Sequence, residues 1–153
     1  PCDKTKDEPD ETVNCVVGTW IVKIFPVSIA LPEATVDTSD FIFTFGADGS
    51  VEIYYGLTAT LDAMTLRADI PFSGTYTQDD KGQTTGFSAR ISPGGSYTST
   101  YNGVVNDFTS AFYEISPIFD PWSPTNGITC NGNSMSWETQ DGMGSFVLER
   151  VSP

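Results

Sequence analysis

Histidine is absent from this sequence, and basic residues are few. Histidine is the usual general base near neutral pH and the commonest ligand of zinc and copper, so its absence removes the simplest catalytic and metal-binding chemistries. Lysine and arginine together number 7 against 20 acidic residues, which gives a formal net charge of -13. Such a surface repels phosphate backbones and offers no basic stripe, so we do not expect nucleic acid as a partner.

Long apolar runs are also missing. No stretch approaches the roughly 20 residues that a membrane-spanning helix needs. No signal-peptide pattern is present either, so we expect a mature or trimmed chain. With 153 residues, of which 39% are hydrophobic and 12% aromatic, the chain is long enough to form one domain with its own core.

Recognisable catalytic motifs are missing too. The sequence has no Gly-x-Ser-x-Gly, no cysteine–histidine arrangement and no phosphate-binding loop. No spacing among the acidic residues selects a carboxylate pair for glycoside hydrolysis. We therefore predict that the protein is not an enzyme and that it carries neither a metal nor a cofactor.

What the sequence does have is a dense series of β-strand patterns. Val16 to Phe25 is rich in β-branched and aromatic residues, with Trp20, Val22 and Ile24 on one face. The most secure hairpin covers residues 41–55, where alternating phenylalanines lead into an Ala-Asp-Gly turn and an alternating return strand. A register slip of one residue would expose all three phenylalanines, so the alternation also predicts the register.

The rest of the chain predicts an all-β, antiparallel fold of eight to ten short strands, arranged as an up-and-down barrel or, alternatively, a β-sandwich. Residues 108–115 have a strand-like pattern, and Pro93-Gly94-Gly95 has turn composition. Two stretches predict loops: residues 26–40, and residues 116–126 with their three prolines. If the sheet closes into a barrel, its first and last strands become neighbours.

The three cysteines are Cys2, Cys15 and Cys130. Cys15 precedes the first strand and Cys130 precedes the closing hairpin, so a sheet with adjacent ends brings them together. We predict a Cys15–Cys130 disulfide, worth about 4–5 kcal/mol in the chain-entropy model because its loop exceeds a hundred residues. A Cys2–Cys15 bridge and reduced thiols are the alternatives. Either bridge implies an oxidising compartment.

Residues 1–14 are charged and nearly free of large apolar side chains, which predicts a flexible acidic tether. A cysteine at the head of such a tether resembles the mature start of a bacterial surface lipoprotein. That resemblance implies lipidation at Cys2 and a location at the extracellular or outer-membrane surface. Membrane contact would then come only through the lipid, because the acidic chain itself is repelled by anionic membranes.

Residues 15–153 resemble the lipocalin-like, calycin-type β-barrel domains of bacterial secreted proteins and lipoproteins. The resemblance depends on Gly18-Thr19-Trp20 at the first strand, the Ala-Asp-Gly hairpin, the Gly74-Thr75-Tyr76 strand and Arg150 near the end. It implies that the tryptophan closes one end of the barrel and the arginine stacks over it, worth roughly 1–2 kcal/mol. The residues that carry over as closure residues are Gly18, Trp20 and Arg150.

Inward-facing aromatic side chains are the main candidates for a binding function. A barrel of about eight strands is either filled by its own side chains or holds one small ligand. We predict an exported module that holds a small, mostly apolar ligand. The alternative is a surface accessory subunit with a filled barrel, whose loops, such as Pro117–Trp122, bind a partner protein or glycan. The predicted ligand-binding residues are Trp20, Phe43, Phe45, Tyr55, Phe87, Tyr97 and Trp137.

Overall fold

The computed structural model describes residues 15–25, 33–81, 83–140 and 144–152, and within them the fold is all-β and antiparallel, as predicted. The predicted tether at residues 1–14, with Cys2, lies outside the described residues. One sheet contains all eleven described strands. These are β1 (Gly18–Ile24), β2 (Thr35–Asp37), β3 (Ile42–Phe45), β4 (Ser50–Leu61), β5 (Met64–Gln78), β6 (Thr84–Ile91), β7 (Ser96–Tyr101), β8 (Val104–Asp107), β9 (Thr129–Asn131), β10 (Ser134–Glu138) and β11 (Ser145–Ser152).

The first and last strands pair, as the sequence predicts. β1 lies between β3 and β11, with Trp20 opposite Phe43 on one side and Arg150 on the other. Gly18 opens β1 with a φ of +131°, a backbone conformation that a side chain at this position would strain. This positive φ therefore explains why a glycine occupies the first position of the Gly-x-Trp pattern.

The long β4–β5 hairpin is the central element of the sheet. One edge of β4 pairs with β3 near its beginning and with β2 near its end. The edge of β5 that faces away from β4 pairs with β7 near the beginning of β5 and with β6 near its end. Pro93-Gly94-Gly95 therefore joins two collinear strands rather than turning a hairpin. The predicted loop at 26–40 includes the short strand β2.

The strand predicted at residues 108–115 is wrong, because the chain forms a helix there, α1 (Thr109–Ile115). Just before the helix, the carboxylate of Asp107 accepts a hydrogen bond from the backbone N–H of Thr109, and the Thr109 hydroxyl accepts one from the N–H of Tyr97. The phenol of Tyr113 donates to the carbonyl of Ser92 at 2.6 Å. These tertiary contacts hold α1 against the β6–β7 junction.

The sheet is not closed, which corrects the predicted barrel. Within the described residues β6 and β10 do not pair, and the segment of residues 117–128, which we call the gap segment, lies between them. On one side the N–H of Phe119 bonds to the carbonyl of Ala89 at 2.9 Å; on the other the N–H of Thr125 bonds to the carbonyl of Glu138 at 2.9 Å. The prolines of this segment exclude a regular strand, yet the segment bonds to both edges.

The core lies inside the curl of this sheet. The rings of Phe87 on β6 and Trp137 on β10 are 5.6 Å apart, although these strands lie far from each other in the strand order. Phe43 on β3 contacts both rings, at 5.9 and 5.4 Å. The sheet therefore curls far enough to bring side chains of β6 and β10, two strands that do not pair, into direct contact.

Candidate functional site

Most of the predicted ligand-binding residues are packed against one another. Within the core, Trp20, Phe43, Phe45, Phe87 and Trp137 are all buried. Phe43 stacks with Phe45 at 6.0 Å, and the Nε1–H of Trp137 donates to the carbonyl of Trp122 at 2.8 Å. The structure thus brings these residues together, but in the contacts of a packed core.

The closure residues meet as the resemblance implies. The guanidinium of Arg150 lies 4.3 Å from the ring centre of Trp20. It also donates hydrogen bonds to the carbonyls of Val17 and Cys15, at 2.8 and 2.7 Å. Because these two carbonyls precede β1, Arg150 ties the start of the described chain to β11.

Cys15 and Cys130 are neighbours, but both are free thiols in the structure, so the predicted disulfide is not formed there. A hydrogen bond from the Cys130 thiol lowers the pKa of Cys15, with a smaller contribution from the positive charge of Arg150, while burial opposes both. The same bond, followed by burial, raises the pKa of Cys130. The fold therefore brings together the two sulfurs that the sequence paired.

An apolar groove lies where α1 ends and the gap segment begins. Its volume is about 420 Å³, within the usual range of small-molecule sites. Ile115 and Ile118 are 78% and 40% exposed, whereas Phe119 is only 1% exposed. The residues that line it are Phe72, Phe112, Ile115, Ser116, Pro117, Ile118, Phe119, Pro121 and Trp122.

Sequence reasoning missed most of this groove. Pro117–Trp122 has the composition of an aromatic loop, and nothing local shows that Phe119 turns inward to contact Phe72, Trp122 and Phe43 at 5.0, 4.8 and 5.8 Å. The helix that supplies Phe112 and Ile115 was predicted as a strand. A helical spacing of three residues between these two side chains was the available signal.

Two of the predicted residues, Tyr55 and Tyr97, lie just behind the groove. The ring of Phe112 stacks on Tyr97 at 4.9 Å and on Tyr55 at 6.1 Å. Trp122 contacts Tyr55 at 5.7 Å. Phe112 and Trp122 therefore separate the groove from the two tyrosines.

The hydroxyls of Tyr55 and Tyr97 differ from those of the tyrosines that donate a hydrogen bond, although neither is a fully buried unsatisfied atom; within the described residues that atom is Thr84 Oγ1. Within the described part of the chain, neither phenol oxygen has a hydrogen-bond partner, although Tyr55 is only 5% exposed. By contrast, the phenol of Tyr76 donates to the carbonyl of Gly46 at 2.6 Å. Burial raises the pKa of both Tyr55 and Tyr97, and the proximity of Tyr97 raises that of Tyr55 further, so both phenols are neutral at physiological pH.

Other surface features suit binding of an apolar molecule less well. On the opposite side of α1, a groove of about 470 Å³ has mostly small or polar walls.

On the sheet, Arg67 forms ion pairs with Asp69 and Asp40 at 2.6 and 3.2 Å, and its hydrogen bond to Asp69 lowers the pKa of that carboxyl. This cluster links β4, β5 and the turn before β3, which is a structural role.

Comparison of the chain with protein-family models, curated proteins and solved structures finds no match in any of the three. Across the described ranges, no cluster of three or more acidic or cysteine side chains is arranged to hold a metal ion. Neither α1 nor the short 3-10 helix Asp120–Trp122 in those ranges is long and apolar enough to cross a bilayer.

Proposed function

We propose that this protein is a binding module for a small, mostly apolar molecule, and that the ligand occupies the groove between α1 and the gap segment. The observation that carries the proposal is the exposure of Ile115 and Ile118 beside a concave, largely aromatic wall. Isolated exposed apolar residues are common, but a concave group of them marks binding sites.

The filled interior directs the ligand to this groove. Phe43, Phe87, Phe119 and Trp137 already contact one another at the centre of the curled sheet. A ligand there would have to displace close-packed rings, which costs several kcal/mol per ring. The groove requires no such displacement, because its apolar wall already faces solvent.

We also propose that the module is exported, carries the Cys15–Cys130 disulfide and is anchored through a lipid on Cys2, without catalytic activity. Support for the disulfide comes from the adjacent thiols. Support for export comes from the resemblance of the first residues to a surface lipoprotein. We also propose that the domain is lipocalin-like, and the stacking of Arg150 on Trp20 supports this proposal.

The groove is tested by replacing Ile118 with a charged residue. We expect Ile118→Asp to weaken binding of the neutral fluorescent probe N-phenyl-1-naphthylamine at least about tenfold, because a carboxylate would lose hydration when the probe covers it. The measurement is a fluorescence titration. Val151→Asp is the matched control, since Val151 is 61% exposed on β11, outside the groove lining.

Two results would reject the groove as the binding site: a wild-type protein that leaves the probe unbound, or equal affinities for Ile118→Asp and Val151→Asp. The second candidate function, an accessory subunit that binds a protein or glycan through its loops, would then be preferred. The observation in its favour is the packed interior, which is what a filled, non-binding domain shows.

A further inference from the structure

Arg90 is an exposed cation without a partner. Its side chain forms no hydrogen bond or ion pair within the described residues. The other arginines are engaged, because Arg67 pairs with two aspartates and Arg150 bonds to backbone carbonyls. The chain has 20 acidic residues against 7 basic ones, so many acids could pair with Arg90, yet none that the structure describes does. Its guanidinium is therefore available to an anion from outside the chain.

The fold places Arg90 beside the groove. Arg90 on β6 forms an antiparallel bridge with Ile118 of the gap segment, and Ile118 lines the groove. The backbone hydrogen bonds lie on either side of this pair, one of them from the N–H of Ile91 to the carbonyl of Pro117 at 2.8 Å. Arg90 and Ile118 are thus a non-hydrogen-bonded pair, the kind in which the two side chains lie closest on one face, with Cβ atoms about 4.5–5.5 Å apart.

The side chains of this pair both face solvent, since Arg90 is exposed and Ile118 is 40% exposed. We call this edge of the groove, at Ile118, the rim. Asp120 follows in the gap segment, but its carboxylate oxygens accept hydrogen bonds from the hydroxyl of Ser88 and the N–H of Ala89, at 3.1 and 3.2 Å. The long side chain of Arg90 can therefore place its charge at the rim without breaking an existing contact.

We propose that the ligand is a small amphipathic carboxylate, whose apolar body fills the groove and whose head group pairs with Arg90 at the rim. This inference rests on the proposed function, because it names the ligand class of the same groove. The groove lining contains no charged side chain, which suits the apolar body. The guanidinium is always charged, and its planar fork matches a carboxylate. The head group stays partly hydrated at the rim, so it avoids the cost of a buried charge.

The experiment compares decanoate, decanol and decyltrimethylammonium as competitors of N-phenyl-1-naphthylamine, at concentrations where each is monomeric. The three carry similar carbon chains and differ in the charge of the head group. The net charge of -13 by itself favours the cation over the anion. Pairing with Arg90 reverses this order. We expect decanoate to bind about 3- to 10-fold more tightly than decanol, between the effects of an exposed ion pair and a charged hydrogen bond, and the ammonium to bind most weakly.

The variants change the charge at position 90. In Arg90→Gln we expect the preference for decanoate over decanol to disappear, while the affinities for decanol and for the probe, which are both neutral, stay within about twofold of wild type. Arg90→Lys should retain part of the preference, because lysine keeps the charge but lacks the planar fork. Lys81→Gln is the matched control, since Lys81 is also exposed, lies between β5 and β6 outside the groove lining, and changes the net charge equally. Urea unfolding of each variant confirms that it folds.

The outcomes separate the two proposals. If wild-type protein binds decanoate no more tightly than decanol, or binds the ammonium most tightly, the carboxylate preference is overturned, while probe binding that is sensitive to Ile118→Asp would retain the groove. Equal losses of decanoate affinity in Arg90→Gln and Lys81→Gln would show that only the net charge acts, which also overturns this inference. Failure of the probe to bind wild-type protein would reject both proposals.

Discussion

At the scale of single residues, Arg150 shows how one side chain serves several purposes. Its guanidinium covers the Trp20 ring and satisfies two backbone carbonyls that precede β1. The indole N–H of Trp20 is itself bonded to the carbonyl of Val16 at 2.8 Å. The Trp–Arg pair predicted from the sequence is thus embedded in a hydrogen-bond network that no pattern of residue types reveals.

Replacing Arg150 tests the contribution of this network. We expect Arg150→Met to lower the free energy of unfolding by about 2–4 kcal/mol, because methionine keeps apolar cover over the indole but loses the cation and its hydrogen bonds. Equilibrium urea unfolding measures the difference.

Arg90→Met is the control for this substitution, since the Arg90 side chain is exposed and forms no hydrogen bond or ion pair within the described ranges. We expect it to change the free energy of unfolding by less than about 0.5 kcal/mol. Similar losses in the two variants would contradict a special role for Arg150.

At the scale of elements, the gap segment takes the place that a strand would occupy in a closed barrel. Its backbone bonds to β6 and β10, and the carboxylate of Asp120 accepts hydrogen bonds from the N–H of Ala89 and the hydroxyl of Ser88. Phe119 is then directed into the core. The segment therefore covers the open side of the sheet and supplies one wall of the groove.

Replacing Phe119 tests whether this irregular segment belongs to the cooperative core. We expect Phe119→Ala to cost about 3–5 kcal/mol in the free energy of unfolding, as for other fully buried phenylalanines. Phe108→Ala is the control, because Phe108 is 46% exposed beside α1, and it should cost less than about 1.5 kcal/mol. Thermal or urea unfolding measures both, and equal costs would show that the segment is only loosely attached.

At the scale of the whole molecule, the pairing of β1 with β11 joins the two ends of the described chain. Trp20 and Arg150 are opposite each other in that pair, and the same arrangement brings Cys15 beside Cys130. A covalent bond between these sulfurs would close nearly the whole domain into one loop. In the chain-entropy model such a bond acts mainly by restricting the unfolded chain.

The disulfide is tested with protein prepared under oxidising conditions. We expect peptide mapping to find Cys15 joined to Cys130, and reduction to lower the free energy of unfolding by about 4–5 kcal/mol in the chain-entropy model. Cys2→Ser is the control and should show the same response to reduction. A bridge that includes Cys2, or a stability that is unchanged by reduction, would contradict the pairing.

The sequence by itself determined the local and periodic features of this protein. Alternation with a period of two specifies strands and their buried faces, so the all-β class, the hairpin of residues 41–55 and the inward aromatics follow from residue types alone. The Gly-x-Trp pattern and the late arginine also predicted the contact between the first and last strands.

Only the tertiary structure decided the features that depend on contacts distant in sequence. α1 forms in a strand-like stretch because Tyr97 and Ser92 hold its side chains in place. The sheet stays open because a proline-containing segment bonds to both of its edges more readily than it could form a strand. The groove exists only because these two elements meet, since no local pattern encodes which surfaces will cover each other.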